Sequence, residues 1–179
     1  LCSNSRISLK QDGQYRVVGD PTEGAMNVLG AKLEIKKEDL LLREYKQIND
    51  FPFDYEKKIH ISLNEKNGKI FLAATGAPES ILKLSSKFYD GGKEAEFLES
   101  FRKKYEKRFL ELSSDGLRVI AFAYQDNASK EATPDNIINL VFGGFLAMRD
   151  GLRPGIEKDV ERARDAGITV FMVTGDHAE

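Results

Sequence analysis

Apolar and polar positions fall into two regimes along this chain. Ile59, Ile61 and Leu63 alternate with His60 and Ser62, the period-two pattern of a strand with one buried and one wet face. Asn67-Gly68 then precedes Ile70-Phe71-Leu72-Ala73, and Asp12-Gly13 likewise separates Ile7-Ser8-Leu9 from Tyr15-Arg16-Val17-Val18. Asn-Gly and Asp-Gly supply the positive-φ pair of a tight turn, so both segments are predicted as hairpins. Leu117 to Tyr124 and Ile138 to Phe145 read as further strands. Asp20 followed by Pro21 is a capping residue before a first-turn proline, which predicts a helix from Thr22 to about Leu29. From Lys93 to Leu112 a second helix is predicted: Phe97, Phe101, Tyr105 and Phe109 recur every fourth position as a core stripe, and Arg102-Lys103-Lys104 and Lys107-Arg108 form its solvated face. Asp115-Gly116 ends it.

After Met148 the pattern changes. Arg149-Asp150-Gly151-Leu152-Arg153-Pro154 is a connector, with Pro154 suited to open a helix. Ile156, Val160 and Ala163 share one face down to Gly167, a natural helix terminator. Ile168 to Val173 lacks alternation, as in a strand covered on both faces. The expected fold is therefore α+β: an antiparallel sheet with flanking helices, followed by one helix–strand unit of parallel type. That last strand ends in Thr174-Gly175-Asp176, a hydroxyl, a flexible turn and a carboxylate. In open α/β sheets such tips hold phosphoryl ligands and metals.

Composition narrows the function classes. With 179 residues and 41% apolar content the chain can bury a core, which argues against wholesale disorder. A net charge of −2 leaves no basic excess for a nucleic-acid partner. Cys2, the single cysteine, cannot form an internal disulfide; it reads as a small buried side chain in a reducing compartment. Leu1-Cys2-Ser3-Asn4 does not open a secretory signal. The longest apolar stretch, Ile137 to Met148, is broken by Asn139 and Gly143-Gly144 and falls short of the ~20 residues a membrane helix needs. The chain itself is expected to be soluble.

Four short elements are richer than structure alone requires. Gly19-Asp20-Pro21-Thr22-Glu23-Gly24-Ala25 caps a helix and puts the Glu23 carboxylate where it can accept from an exocyclic amine. Phe51-Pro52-Phe53-Asp54-Tyr55-Glu56-Lys57-Lys58 reads as a strand edge, or as an aromatic base platform beside phosphate-neutralising lysines. Thr75-Gly76-Ala77-Pro78-Glu79 leaves a strand through glycine into a helix, which lets backbone approach a ligand closely. Asp115-Gly116-Leu117-Arg118 opens a strand with a guanidinium able to fork onto a phosphate. His60 is expected to face solvent and His177 to be incidental to chemistry. With one cysteine and two distant histidines, a zinc site is not expected. Asn127-Ala128-Ser129 is a chance glycosylation match in a cytosolic chain.

In this order, and with Asp150-Gly151-Leu152-Arg153-Pro154, Ala166-Gly167-Ile168 and Met172-Val173-Thr174-Gly175-Asp176-His177 behind them, these elements resemble the cytoplasmic part of P-type cation-transporting ATPases. The pattern is most like the calcium-pump-like branch, bacterial members included. The resemblance implies that residues 1–146 form most of a nucleotide-binding domain, truncated at its N-terminal end. Residues 147–179 then begin the phosphorylation domain, a haloacid-dehalogenase-like Rossmann fold. It implies that Phe53 stacks on adenine, Glu23 faces its amino group, Lys58 lies beside base and phosphates, and Arg118 binds the phosphate chain. It gives Thr75 and Gly76 a place in the nucleotide pocket, and gives Asp150 and Arg153 contacts to sugar or phosphates on domain closure. Thr174, Gly175 and Asp176 approach the γ-phosphate and magnesium.

One position departs from the family. Its Lys-Gly-Ala reads Thr75-Gly76-Ala77 here, so a hydroxyl replaces an ammonium and weaker nucleotide binding is expected. The family's Asp-Lys-Thr-Gly-Thr segment, which carries the phosphorylated aspartate, does not occur in the chain, nor does a Gly-x-x-x-x-Gly-Lys-Ser/Thr loop. Alone, the fragment is expected to bind ATP or ADP without turning it over; in the parent pump ATP and Mg2+ serve the cycle at the cytoplasmic face of a membrane. Its implied partners are the phosphorylation, actuator and transmembrane domains. The orphan strand at 168–173 is expected to fray, repack on the body, or pair with a second copy. The alternative is an interaction module with a degenerate pocket, favoured only by Thr75. A haloacid-dehalogenase phosphatase leaves Phe-Pro-Phe and Gly-Ala-Pro-Glu unexplained.

Overall fold

Hairpin chemistry organises the molecule. In the computed structural model, which describes residues 1–10, 13, 15–149 and 155–171, Asn67 and Gly68 take φ of 53° and 76°, the paired left-handed geometry their side chains tolerate. In chain order the elements are β1 (Arg6–Leu9), β2 (Tyr15–Val18), α1 (Pro21–Lys32), α2 (Lys37–Arg43), β3 (Lys46–Asp54), β4 (Ile59–Lys66) and β5 (Lys69–Gly76). Then follow α3 (Pro78–Leu84), β6 (Ser85–Asp90), β7 (Lys93–Glu96), α4 (Glu99–Ser114), β8 (Arg118–Asp126), β9 (Leu140–Met148) and α5 (Ile156–Asp165). β1 and β2 form a separate antiparallel pair. The main sheet runs β3-β4-β5-β8-β9-β6-β7, antiparallel except where β6 meets β9. This is the expected α+β architecture.

One face of the sheet carries the core. Ile59, Ile61, Leu63, Leu72, Ala74 and Ala121 are buried there. α3 and α4 cover that side, and Phe88, Phe97, Tyr105, Phe142 and Phe145 form a continuous aromatic cluster beneath α4. Of the predicted stripe, Phe97 is buried but precedes α4, Tyr105 and Phe109 are partly buried against the core, and Phe101 packs on Phe88 yet stays 37% exposed.

The opposite face is where expectation and structure part. His60, Ser62 and Asn64 point away from the core strip, yet they are 2%, 0% and 0% exposed. No wet face exists on β4, because the amino-terminal residues, α1 and their neighbours lie over it: Glu23 of α1 and Asp50 of β3 both reach His60. A second difference lies at Lys93–Glu96, which is strand β7 and not the start of a helix. Gly91 and Gly92 at φ of 54° and 99° turn the chain back on β6, and α4 begins only at Glu99. β3, β6 and α2 are elements that periodicity did not predict. β3 is an edge strand bearing Pro52 at a register shift, the position a proline tolerates in a sheet.

α5 and its terminator Gly167 (φ 76°) form as the spacing predicts. Ile168–Phe171, expected as a buried strand, has no strand geometry; Ile168, Val170 and Phe171 are 58%, 50% and 81% exposed. A parallel strand needs hydrogen-bonded neighbours on its flanks, and none of the described strands pairs with this segment. Met172 and Val173 lie outside the described residues, as does Pro154.

Candidate functional site

Asp20 begins the site. Its side chain accepts from the backbone N–H groups of Thr22 (2.8 Å) and Glu23 (3.0 Å), so α1 starts as its capping signature predicts and Glu23 falls in the first turn. The Glu23 carboxylate turns inward. Oε2 accepts from the backbone N–H of Asn4 (2.6 Å) and Ser5 (2.9 Å) and from Ser5 Oγ (3.2 Å). Oε1 lies 3.6 Å from His60 Nδ1. One oxygen is thus saturated by the segment ahead of β1, and the other retains acceptor capacity.

His60 joins that carboxylate to a second one. Its Nε2 is 2.9 Å from Asp50 Oδ1, and Asp50 Oδ2 accepts from Asn4 Nδ2 at 2.9 Å. A buried imidazole with a carboxylate on each ring nitrogen was not foreseen from sequence. The signal was the polar run His60, Ser62, Asn64 on a strand whose other face carries Ile59, Ile61 and Leu63; its burial depends on segments from elsewhere in the chain.

Across the ladder His60 faces Thr75, and Thr75 faces Phe122 of β8. These side chains lie on the same sheet face. Thr75 also lines a cavity of about 870 Å3 between that face (Phe71, Phe122, Tyr124) and the covering layer (Tyr15, Met26). Cys2 reaches the same cavity and donates its thiol to the Ala73 carbonyl at 3.1 Å. Burial pushes this thiol up to about 12, so it is an inert core side chain, in line with expectation.

Lys58 is positioned by the β3–β4 turn. Asp54 accepts from the backbone N–H groups of Lys57 (2.9 Å) and Glu56 (2.8 Å). These bonds, that of Lys57 foremost, hold its carboxyl below the usual value. The turn closes with Lys58 at φ 59°, its N–H donating to Asp54 O at 2.6 Å. Lys58 O then accepts from Ala77 N–H at 2.9 Å. A β-carbon on Gly76 would stand 2.2 Å from that carbonyl and 2.9 Å from Ile59 Cα. Glycine is required there by the crossing of the two backbones. The Lys58 ammonium pairs with Glu79 Oε1 at 3.3 Å with both side chains over half exposed, a contact a ligand anion can replace at little cost.

Phe53 sits in the β3 register shift opposite His60, 42% exposed, with its ring 5.3 Å edge-on from Tyr55. Arg118 opens β8 on the Phe122 face and donates to Thr22 Oγ1 at 3.4 Å, one residue from Glu23. The structure therefore brings Lys58, Thr75, Gly76 and Arg118 to one end of the main sheet, with Phe53 at its β3 edge and Glu23 joined to it through His60 and, one residue away, through Thr22. Asp150, Arg153, Thr174, Gly175 and Asp176 lie outside the described residues. Among the described residues no cluster of His, Cys, Asp and Glu is built to hold a metal ion.

The family described as P-type ATPase, cytoplasmic domain N, matches residues 1–155. This chain belongs to that family. The N domain is 34% identical to a calcium-transporting ATPase from Bacillus subtilis (strain 168), over 100% of this chain and 20% of the relative. It is 32% identical to calcium-transporting ATPase 1 from Lactococcus lactis subsp. lactis (strain IL1403), over 99% of this chain and 20% of the relative. A sodium/potassium-transporting ATPase alpha subunit from Drosophila melanogaster is 32% identical over 99% of this chain and 19% of its own. The chain spans about a fifth of the length of these relatives. Membership in the N-domain family overturns the isolated-phosphatase alternative. It also accounts for the order of motifs around the sheet face just described. No helix among the described residues of the N domain is long and apolar enough to cross a membrane.

Chemically, this end of the N domain offers a half-exposed aromatic ring, one cation from a turn and one from a strand, one carboxylate oxygen with unused acceptor capacity, and a hydroxyl. That set suits a ligand with a flat amino-bearing ring and an anionic tail.

Proposed function

We propose that this N domain binds ATP and ADP on the outer sheet face and delivers ATP within a membrane cation pump. The observation that carries the reading is that Phe53, Lys58, Gly76 and Arg118 lie at the same end of the main sheet, with Glu23 held beside it. Phe53 stacks the base, and Glu23 Oε1 accepts from its amino group. Lys58 exchanges Glu79 for phosphate, and Arg118 leaves Thr22 to fork onto the phosphate chain. Thr75 donates a hydroxyl hydrogen bond where relatives of this pattern carry an ammonium.

In the parent the γ-phosphoryl passes to an aspartate in another segment, with Mg2+ neutralising its charge. Asp150 and Arg153 join the nucleotide on closure, and Thr174, Gly175 and Asp176 belong to the phosphorylation half, so residues 1–146 and 147–179 serve different domains. The pump's phosphorylation, actuator and transmembrane domains are the partners, at the cytoplasmic face. Ile168, Val170 and Phe171 supply apolar surface for the phosphorylation domain or for a second copy. Alone, the fragment does not turn over ATP.

Titrating the 15N-labelled chain with ATP and ADP tests this reading. Amide shifts centred on Glu23, Phe53, Lys58, Gly76 and Arg118 are expected. Unshifted spectra at millimolar nucleotide would sink it.

A further inference from the structure

We propose that residues 127–139, the connection from β8 to β9, form a strap whose tip, Asp135, is a positioning residue for the β3–β4 turn and raises nucleotide affinity through Lys57. The inference rests on the nucleotide reading above, because Phe53 and Lys58 flank that turn; Asp135 belongs to none of the motifs that point to that reading. The strap is rooted at the far end of the sheet. Ala128 N–H donates to Ile70 O at 3.0 Å, and Ile70 lies six residues along β5 from Gly76, about 20 Å of extended chain. Ala132 and Ile137, 6% and 4% exposed, seat the strap in the core. Between them Thr133-Pro134-Asp135-Asn136 makes a β-turn, closed by Asn136 N–H donating to Thr133 O at 3.2 Å, with proline presetting its first central position. Asn136 Oδ1 accepts from Thr133 N–H at 2.8 Å, Asn136 Nδ2 donates to Glu131 O at 3.0 Å, and Thr133 Oγ1 accepts from Asp135 N–H at 3.3 Å. The Asp135 carboxylate is thus presented by backbone that its own segment already orders.

That carboxylate pairs with the Lys57 ammonium. Lys57 stands inside the turn: its N–H donates to Asp54 Oδ1 at 2.9 Å. The next residue, Lys58, is left-handed at φ 59° with its N–H on Asp54 O, a conformation that a lysine keeps only where its surroundings hold it. The Lys57–Asp135 pair ties this turn to the core through Ala132 and Ile137. Lys58 itself pairs only with the half-exposed Glu79 and stays available to an anion. With Asp135 in place the turn meets a nucleotide already ordered, which lowers the ordering cost of binding. Simple electrostatics gives the opposite sign. An aspartate beside an anion site repels phosphate, so deleting it, or freeing the Lys57 cation, would tighten binding. The direction of the change therefore separates a positioning role from a charge effect.

The experiment measures ATP dissociation constants on the whole chain by calorimetric titration, with urea unfolding of each variant alongside. Asp135→Asn keeps the shape and loses the ion pair; ATP binding should weaken about two- to fourfold, the range an exposed pair supports. Lys57→Met should weaken it to the same extent, and the double variant no further than either single one. Asp135→Glu, which keeps the carboxylate, should return affinity to within about 1.5-fold of wild type. The Asp135 side chain is 80% exposed, so its replacement leaves the core intact. Tighter or unchanged binding in Asp135→Asn or in Lys57→Met overturns the inference and leaves the nucleotide reading standing. So does an additive loss in the double variant, or an Asp135→Glu as weak as Asp135→Asn. A lowered urea midpoint with unchanged affinity overturns it too, and assigns the strap to stability alone. Absence of ATP binding by the wild-type chain overturns both.

Discussion

At the scale of single residues, position 75 offers the most direct test of the proposed nucleotide site. Thr75 stands across the ladder from His60 and on the wall of a cavity of about 870 Å3, so a longer side chain has room to extend. Thr75→Lys is therefore expected to tighten ATP binding by about tenfold or more, the worth of one charge-assisted hydrogen bond to phosphate, read by calorimetric titration. Unchanged or weaker affinity would show that the missing ammonium is not what limits binding. Lys58, Gly76 and Arg118 were legible as single residues because their chemistry is local: a turn, a backbone crossing and a strand start. His60 and Asp50 were not, since what matters about them is burial. Glu23 was legible as to place but not as to state, because three of its donors come from Asn4 and Ser5.

Among elements, α1 depends on its first turn more than on its packing. Its residues are mostly half-exposed, with only Gly24 buried, and Asp20 satisfies two of the free N–H groups at its start. Asp20→Ala is expected to cost about 1 kcal/mol in urea unfolding, and to weaken nucleotide binding further because Glu23 rides on that turn. A loss of stability with unchanged affinity would separate the helix start from the site. The helices and hairpins that were legible are those with terminal signatures, such as Asp20-Pro21, Asn67-Gly68 and Gly167. The pattern predicts helix from Lys93 where β7 forms, because four residues, Lys93 to Glu96, carry too little periodicity to distinguish the two. The Gly91-Gly92 turn before them was the better signal.

For the whole molecule, the aromatic cluster under α4 is part of one continuous core with the aliphatic residues of β4, β5 and α3. Phe142 is 2% exposed, with ring centroids 5.6 Å from Phe97 and 5.0 Å from both Tyr105 and Phe145. Phe142→Ala should cost about 3–5 kcal/mol, whereas Phe171→Ala, at a residue 81% exposed, should stay within about 0.5 kcal/mol; a large effect at Phe171 would mean that 168–171 packs somewhere in solution. The order of motifs, both hairpins, the capped helix, part of the core stripe and the family itself were determined by sequence alone, because each is a local pattern of side-chain chemistry and spacing. Only the tertiary structure decided that β4 is buried on both faces, that His60 bridges Asp50 and Glu23, and that Ile168–Phe171 is not a strand. Burial and strand pairing are properties of what lies opposite in space, and here the opposite partners come from tens of residues away or, for 168–171, are not among the described strands.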